Sequence, residues 1–139
     1  MSNEDYFNEL TKPSPEDEVE CRIRAWAAKW ANLLGLGHYC IQLWFSHEGV
    51  DGITATTSTR WEYLTAKITF NLPQCMQFAD NDAVLENVVI HELLHVVVAE
   101  ISQTQGRNPG VEHEERVVSH LALAFQRVQT RSTSQVPPD

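Results

Sequence analysis

His91 and His95 stand four residues apart around Glu92 in the pentapeptide His91-Glu92-Leu93-Leu94-His95. On a helix, residues i and i+4 lie one above the other on one face, so both imidazoles can offer a ring nitrogen to one metal ion. Glu92 is adjacent to that face, where its carboxylate can take a proton from a water on the metal. These residue types at this spacing point to zinc-assisted hydrolysis. A lone histidine on an apolar helix reads as a core residue satisfied by one hydrogen bond. Two of them a turn apart, with a glutamate between, are costly to bury without a shared partner.

The flanking sequence supplies the helix that this spacing requires. Residues 83–99 (AVLENVVIHELLHVVVA) contain no Gly or Pro and are apolar on nearly all sides, the pattern of a helix buried at the centre of a small domain. Asp80, Asn81 and Asp82 precede it as capping residues. Catalytic zinc takes three protein ligands and leaves a position open for water, so one more donor is needed. The same helix does not readily provide it. Glu100 falls about half a turn off the histidine face, and Ile101 stands where an extended motif would carry a third histidine.

A last helix over residues 111–129 offers candidates. Its apolar face of Val117, Val118, Leu121, Ala124, Phe125 and Val128 centres near Leu121, and Glu114 falls within about 20° of that centre. A carboxylate in the middle of an apolar stripe needs a charge partner, so Glu114 is the preferred third ligand. Glu115, roughly 100° further round, is the alternative, and His113 at the edge of the same face is a lesser one. The competing reading is that these acids only decorate the first turn and favour the helix dipole.

The remaining elements form the scaffold. Ser14-Pro15-Glu16-Asp17 reads as a helix start, with Ser14 as N-cap and Pro15 at the first helical position. Val19, Ile23, Trp26, Trp30 and Leu33 continue it as one apolar stripe that ends at Gly35 and Gly37. Residues 39–46 and 65–72 have strand composition, residues 53–60 are a weaker third candidate, and Asp51-Gly52 marks a turn. Pro73 ends the strand pattern. The polar stretch 102–110, with Gly106 and Asn108-Pro109-Gly110, reads as a loop. The expected class is α+β: residues 1–13 a flexible acidic arm, 14–130 one domain, and 131–139 a disordered tail.

Composition narrows the partners. Ten Lys and Arg against 19 Asp and Glu give a net charge of −9, a field that repels phosphate backbones and anionic lipid. Nucleic acid is therefore a poor partner, and Arg107, Arg116, Arg127 and Arg131 are expected on a solvated face. The 3 cysteines, with no C-x-x-C, suit reduced thiols in a cytosol. Neither a signal peptide nor a transmembrane run is visible, so a soluble, cytoplasmic protein without a membrane partner is expected.

In this order of elements the chain resembles a compact zincin of the gluzincin kind, similar to the minimal metallopeptidases and to metallopeptidases of phages and prophages. The resemblance runs over most of residues 15–128: a Trp-rich helix, the segment LGLGHYCIQLWF, the strand AKITFN, then VVIHELLHVVV and the Glu-bearing helix EHEERVVSHLALAF. It implies a minimal zincin-like domain in which His91, His95 and a glutamate of the last helix bind Zn²⁺, with Glu92 as general base. It further implies a peptide or protein substrate and, for a phage-encoded chain, the host-cell cytoplasm. One departure stands out. Many gluzincins carry an Asp four residues after the ligand Glu to orient the first histidine; here that position is Val118 counted from Glu114, or Ser119 counted from Glu115.

The strand over residues 65–71 is expected to wall the cleft, since a sheet edge can align an extended peptide through main-chain hydrogen bonds. Tyr63, His113 and His120 are not assignable as oxyanion stabilisers from sequence. Two other readings compete. A deformylase-like hydrolase would need a Cys ligand, and Cys40 and Cys75 lack the Glu-Gly neighbours of that signature. A binding module with a non-catalytic zinc site would not need Glu92.

Overall fold

The computed structural model describes residues 2–4, 12–49, 51–104 and 111–134. Helix α1 (Pro15–Leu33) starts at a capping box, in which the Ser14 hydroxyl accepts the Asp17 N–H and the Asp17 carboxylate accepts the Ser14 N–H, each at 3.2 Å. Val19, Ile23, Ala27 and Trp30 form its buried line, while Leu33 is half exposed. Ala27 stands on that line, four residues after Ile23, while Trp26 is partly buried beside it. Gly35, at φ +72°, turns the chain out of the helix in a conformation that costs a side-chain-bearing residue about 1–2 kcal/mol.

Three strands follow: β1 (Cys40–Ser46), β2 (Ala55–Arg60) and β3 (Thr65–Asn71). They form a mixed sheet in the order β1-β3-β2, with β1 parallel and β2 antiparallel to β3. The Thr-rich segment is thus a strand, joined to β3 through the single 3-10 turn Trp61–Tyr63 and a left-handed Leu64. Register places Leu43, Ile68 and Thr57 side by side, and Phe45, Phe70 and Ala55 likewise, so one face is apolar and covered. The opposite face carries Trp44, Lys67 and Ser58 in solvent.

One expectation changes here. β3, whose Ala66, Ile68 and Phe70 are all buried, is the central strand and is paired on both sides; β1 and β2 are the edges, and β2 is the one that meets α3. A central strand has no free main-chain groups to offer a peptide, so β2 takes the place at the cleft expected of β3.

Asn71 closes β3, and Leu72 and Pro73 belong to the first turn of a short helix α2 (Leu72–Met76), where the missing proline N–H costs nothing. Helix α3 (Asp82–Thr104) begins under Asn81, whose side-chain oxygen accepts the Val84 N–H at 3.3 Å. Arg22 ties α1 to this start through the Ala79 carbonyl at 3.0 Å and an ion pair with Asp82. Leu85, Val89, Ile90, Leu93, Leu94, Val96 and Ala99 are buried, and α3 packs against α1, β2 and α4 (Val111–Ser134).

Both of these helices outrun their sequence-based limits. α3 continues to Thr104, and residues 131–134, expected in the tail, are helical because no Gly or Pro interrupts the chain there. The rest of the expected loop (105–110), the end of the tail (135–139) and most of the acidic arm lie outside the described residues. Among the described residues no helix is long and apolar enough to cross a membrane.

Candidate metal centre

α3 sets His91 and His95 on the side that faces α4, with the two rings 4.9 Å apart between centroids and their Nε2 atoms 3.2 Å apart. Glu92, the next residue round the helix, is buried at 6% exposure and meets β2. There the Thr57 hydroxyl donates to its carboxylate. Burial pushes the Glu92 carboxyl above the usual range; the Thr57 hydrogen bond and the neighbouring imidazoles pull it down, and Glu115 pushes it further up.

The rotation of α4 decides which acid joins the histidines. Among the described residues Val118 and Ala122, both at 0% exposure, are the ones it buries fully. Glu115 lies three residues before Val118 and Gln126 four after Ala122, on the same line. Gln126 bonds back to α3 through the Asn87 amide at 3.1 Å and the Ala83 carbonyl at 2.8 Å. Val117, Phe125 and Val128, which helped define the apolar stripe in sequence, are 41%, 39% and 63% exposed.

Glu115 therefore reaches both rings, its Oε2 3.0 Å from His91 Nε2 and its Oε1 2.9 Å from His95 Nε2. Glu114, the preferred choice from sequence, instead stands 3.6 Å from His95 Nδ1, on the far side of that ring. The choice rested on the centre of the apolar stripe, but the contact face of α4 is turned away from that centre, towards the small Ala122. Ser119, one turn after Glu115, brings its hydroxyl 3.5 Å from His91 Nδ1.

The three groups suit a small cation. His91, His95 and Glu115 each offer one donor atom, all within 4.8 Å of one another. A tetrahedral ion with bonds of about 2.0–2.1 Å separates its ligands by about 3.3–3.4 Å, close to the 3.2 Å between the two Nε2 atoms. Without a cation the two Nε2 atoms partner Glu115 only as protonated donors; one ion would take all three groups through their lone pairs.

Beside the cluster runs a cleft of about 320 Å³, bounded by residues 52–55 on one side and by Asn87 and Val88 on the other. Its lip is anchored: the Asn71 amide donates to the Ile53 carbonyl at 2.7 Å and the Cys75 thiol to the Thr54 carbonyl at 3.7 Å. Burial pushes that thiol up to about 11. Neither Cys75, in the core, nor the exposed Cys40 belongs to the donor cluster. Tyr63, His113 and His120 are exposed, and the two histidines line a separate hollow of about 700 Å³ that meets the site at Glu115.

Two contributors were missed in sequence. Thr57 is one of several threonines in its strand, and nothing marks it until register brings it under Glu92. Ser119 had a signal, its spacing of four from Glu115, which gains meaning only when Glu115 is the donor. Compared with protein-family models, curated proteins and solved structures, the chain matches none.

Proposed function

We propose that the chain is a zinc-dependent metallopeptidase, with His91, His95 and Glu115 as metal ligands and Glu92 as general base. The observation that carries this reading is the convergence of the three donor atoms within 4.8 Å beside a buried carboxylate. A zinc ion held there supplies Lewis acidity, polarising a carbonyl and making water acidic enough to lose a proton near neutral pH.

Glu92 then does the proton work. Its desolvated carboxylate, steered by Thr57, accepts a proton from the attacking water and returns it to the leaving amine. A carboxyl whose affinity for protons is raised by burial is better suited to hold that proton between the two steps. β2, as the edge strand next to the cleft, offers main-chain groups that can align an extended peptide. Gln103 ties the far end of β2 to α3 through the Thr59 carbonyl at 3.3 Å, which keeps that edge in place. The deformylase-like alternative has no thiol at the cluster. The binding-module alternative has no use for a buried glutamate at this position.

The test is metal analysis of the purified protein alongside cleavage of a fluorogenic peptide library. Glu92→Gln is expected to keep its zinc and lose about 10²–10⁴-fold in hydrolysis. Cleavage at the parent rate by that variant would refute the mechanism. A zinc-loaded parent that leaves every peptide intact would favour the binding module.

A further inference from the structure

We infer that Glu114 is the positioning partner of His95, holding the Nδ1 side of the ring whose Nε2 side faces the metal ligand set. The inference rests on the zinc reading above and extends it to a residue outside that set. A neutral imidazole that gives the Nε2 lone pair to a metal carries its proton on Nδ1 and needs an acceptor there. Each of the two rings faces one at that atom: Ser119 Oγ lies 3.5 Å from His91 Nδ1, the limit of a hydrogen bond, and Glu114 Oε1 lies 3.6 Å from His95 Nδ1, an ion-pair distance that a side-chain shift of about half an ångström turns into a hydrogen bond.

The two rings are therefore backed unequally, His91 by a neutral hydroxyl and His95 by an anion. An anionic acceptor makes the imidazole a stronger donor through its other nitrogen. Burial agrees with this division. The Glu114 side chain is 26% exposed against 47% for Glu115, although a residue with no partner at the start of a surface helix would be the freer of the two. Consecutive residues on α4, about 100° apart, thus reach opposite nitrogens of one ring, Glu115 at Nε2 and Glu114 at Nδ1.

Zinc affinity measured by competition with a chromophoric chelator, in the full chain, separates the roles. Glu115→Ala is expected to lose the metal. Glu114→Ala is expected to weaken it about 10–100-fold, with Glu114→Gln between Glu114→Ala and the parent because its amide oxygen still accepts a hydrogen bond. Proton and ¹⁵N spectra of the zinc-loaded protein add a readout that a structural role would not move. The Nδ1–H of His95 should exchange faster in Glu114→Ala, while that of His91 stays as in the parent. Parent-like affinity and His95 signals in Glu114→Ala, with zinc lost in Glu115→Ala, would overturn the inference and leave the metal site standing. Zinc retained in Glu115→Ala but lost in Glu114→Ala would make Glu114 the ligand itself. Failure of the parent to bind zinc would remove both readings.

Discussion

α3 carries both imidazoles on a helix that is apolar around its circumference and packs against α1, β2 and α4, whereas α4 carries the carboxylates on a helix with one polar and one apolar side. The difference lies in what sets their orientation. α3 is covered on several sides, so rotating it would expose apolar residues whichever way it turned. α4 meets α3 through Val118 and Ala122, with Leu121 partly buried beside them, and leaves Val117, Phe125 and Val128 exposed. Its apolar stripe alone does not decide its rotation; the packing of Val118 and Ala122 on α3 does.

Truncating α3 should have the largest effect on stability. Leu93, at 0% exposure between the two histidines, is expected to cost about 2–5 kcal/mol as Leu93→Ala, read as a lower denaturant midpoint. Val118→Ala on α4 removes two methyl-sized groups from a single contact line and should cost about 2 kcal/mol. If Val118→Ala proved as costly as Leu93→Ala, the contrast between the helices would fail.

Cys75 sharpens the picture of the inner layer that supports α3 and the cleft. Its thiol should resist modification in the native protein while the exposed Cys21 and Cys40 react. Because its folded-state value is raised from an ordinary 9.0 to about 11, the unfolded chain loses that proton first as pH rises. The stabilisation from burying the protonated thiol is therefore full below about pH 9 and is lost as pH rises towards about 11. Parallel melts of Cys75→Ala should show a flatter decline over that window. The smallest effect is expected on the open side of α4, where Val128→Ser should shift stability by no more than about 0.5 kcal/mol. A large loss there would mean that this face is covered in solution.

Much of the scaffold was legible residue by residue. Ser14 caps α1 as expected with Pro15 in its first turn, Asp51-Gly52 forms the expected turn, and the all-round apolar pattern of residues 83–99 lies within the buried α3. The placement of β3 at the centre of the sheet was not legible, because alternation of Ala66, Ile68 and Phe70 shows that one face is covered and says nothing about neighbours on either side. The ends of α3 and α4 were missed for a related reason: polar segments such as Ser102-Gln103-Thr104 and Arg131-Ser132-Thr133-Ser134 lack periodicity but also lack a residue that stops a helix.

At the site the division is sharper. The spacing of His91, Glu92 and His95 follows from covalent chain and helix geometry alone, so any helix over these residues presents the two rings together and the carboxylate beside them. Those positions, and the burial of the helix that carries them, belong to the sequence. The choice of Glu115 over Glu114, the hydroxyl of Thr57 under Glu92 and the edge position of β2 belong to the tertiary structure. Each depends on how two elements rotate and pair against one another, and the energies that decide this come from surface shapes that no single element contains.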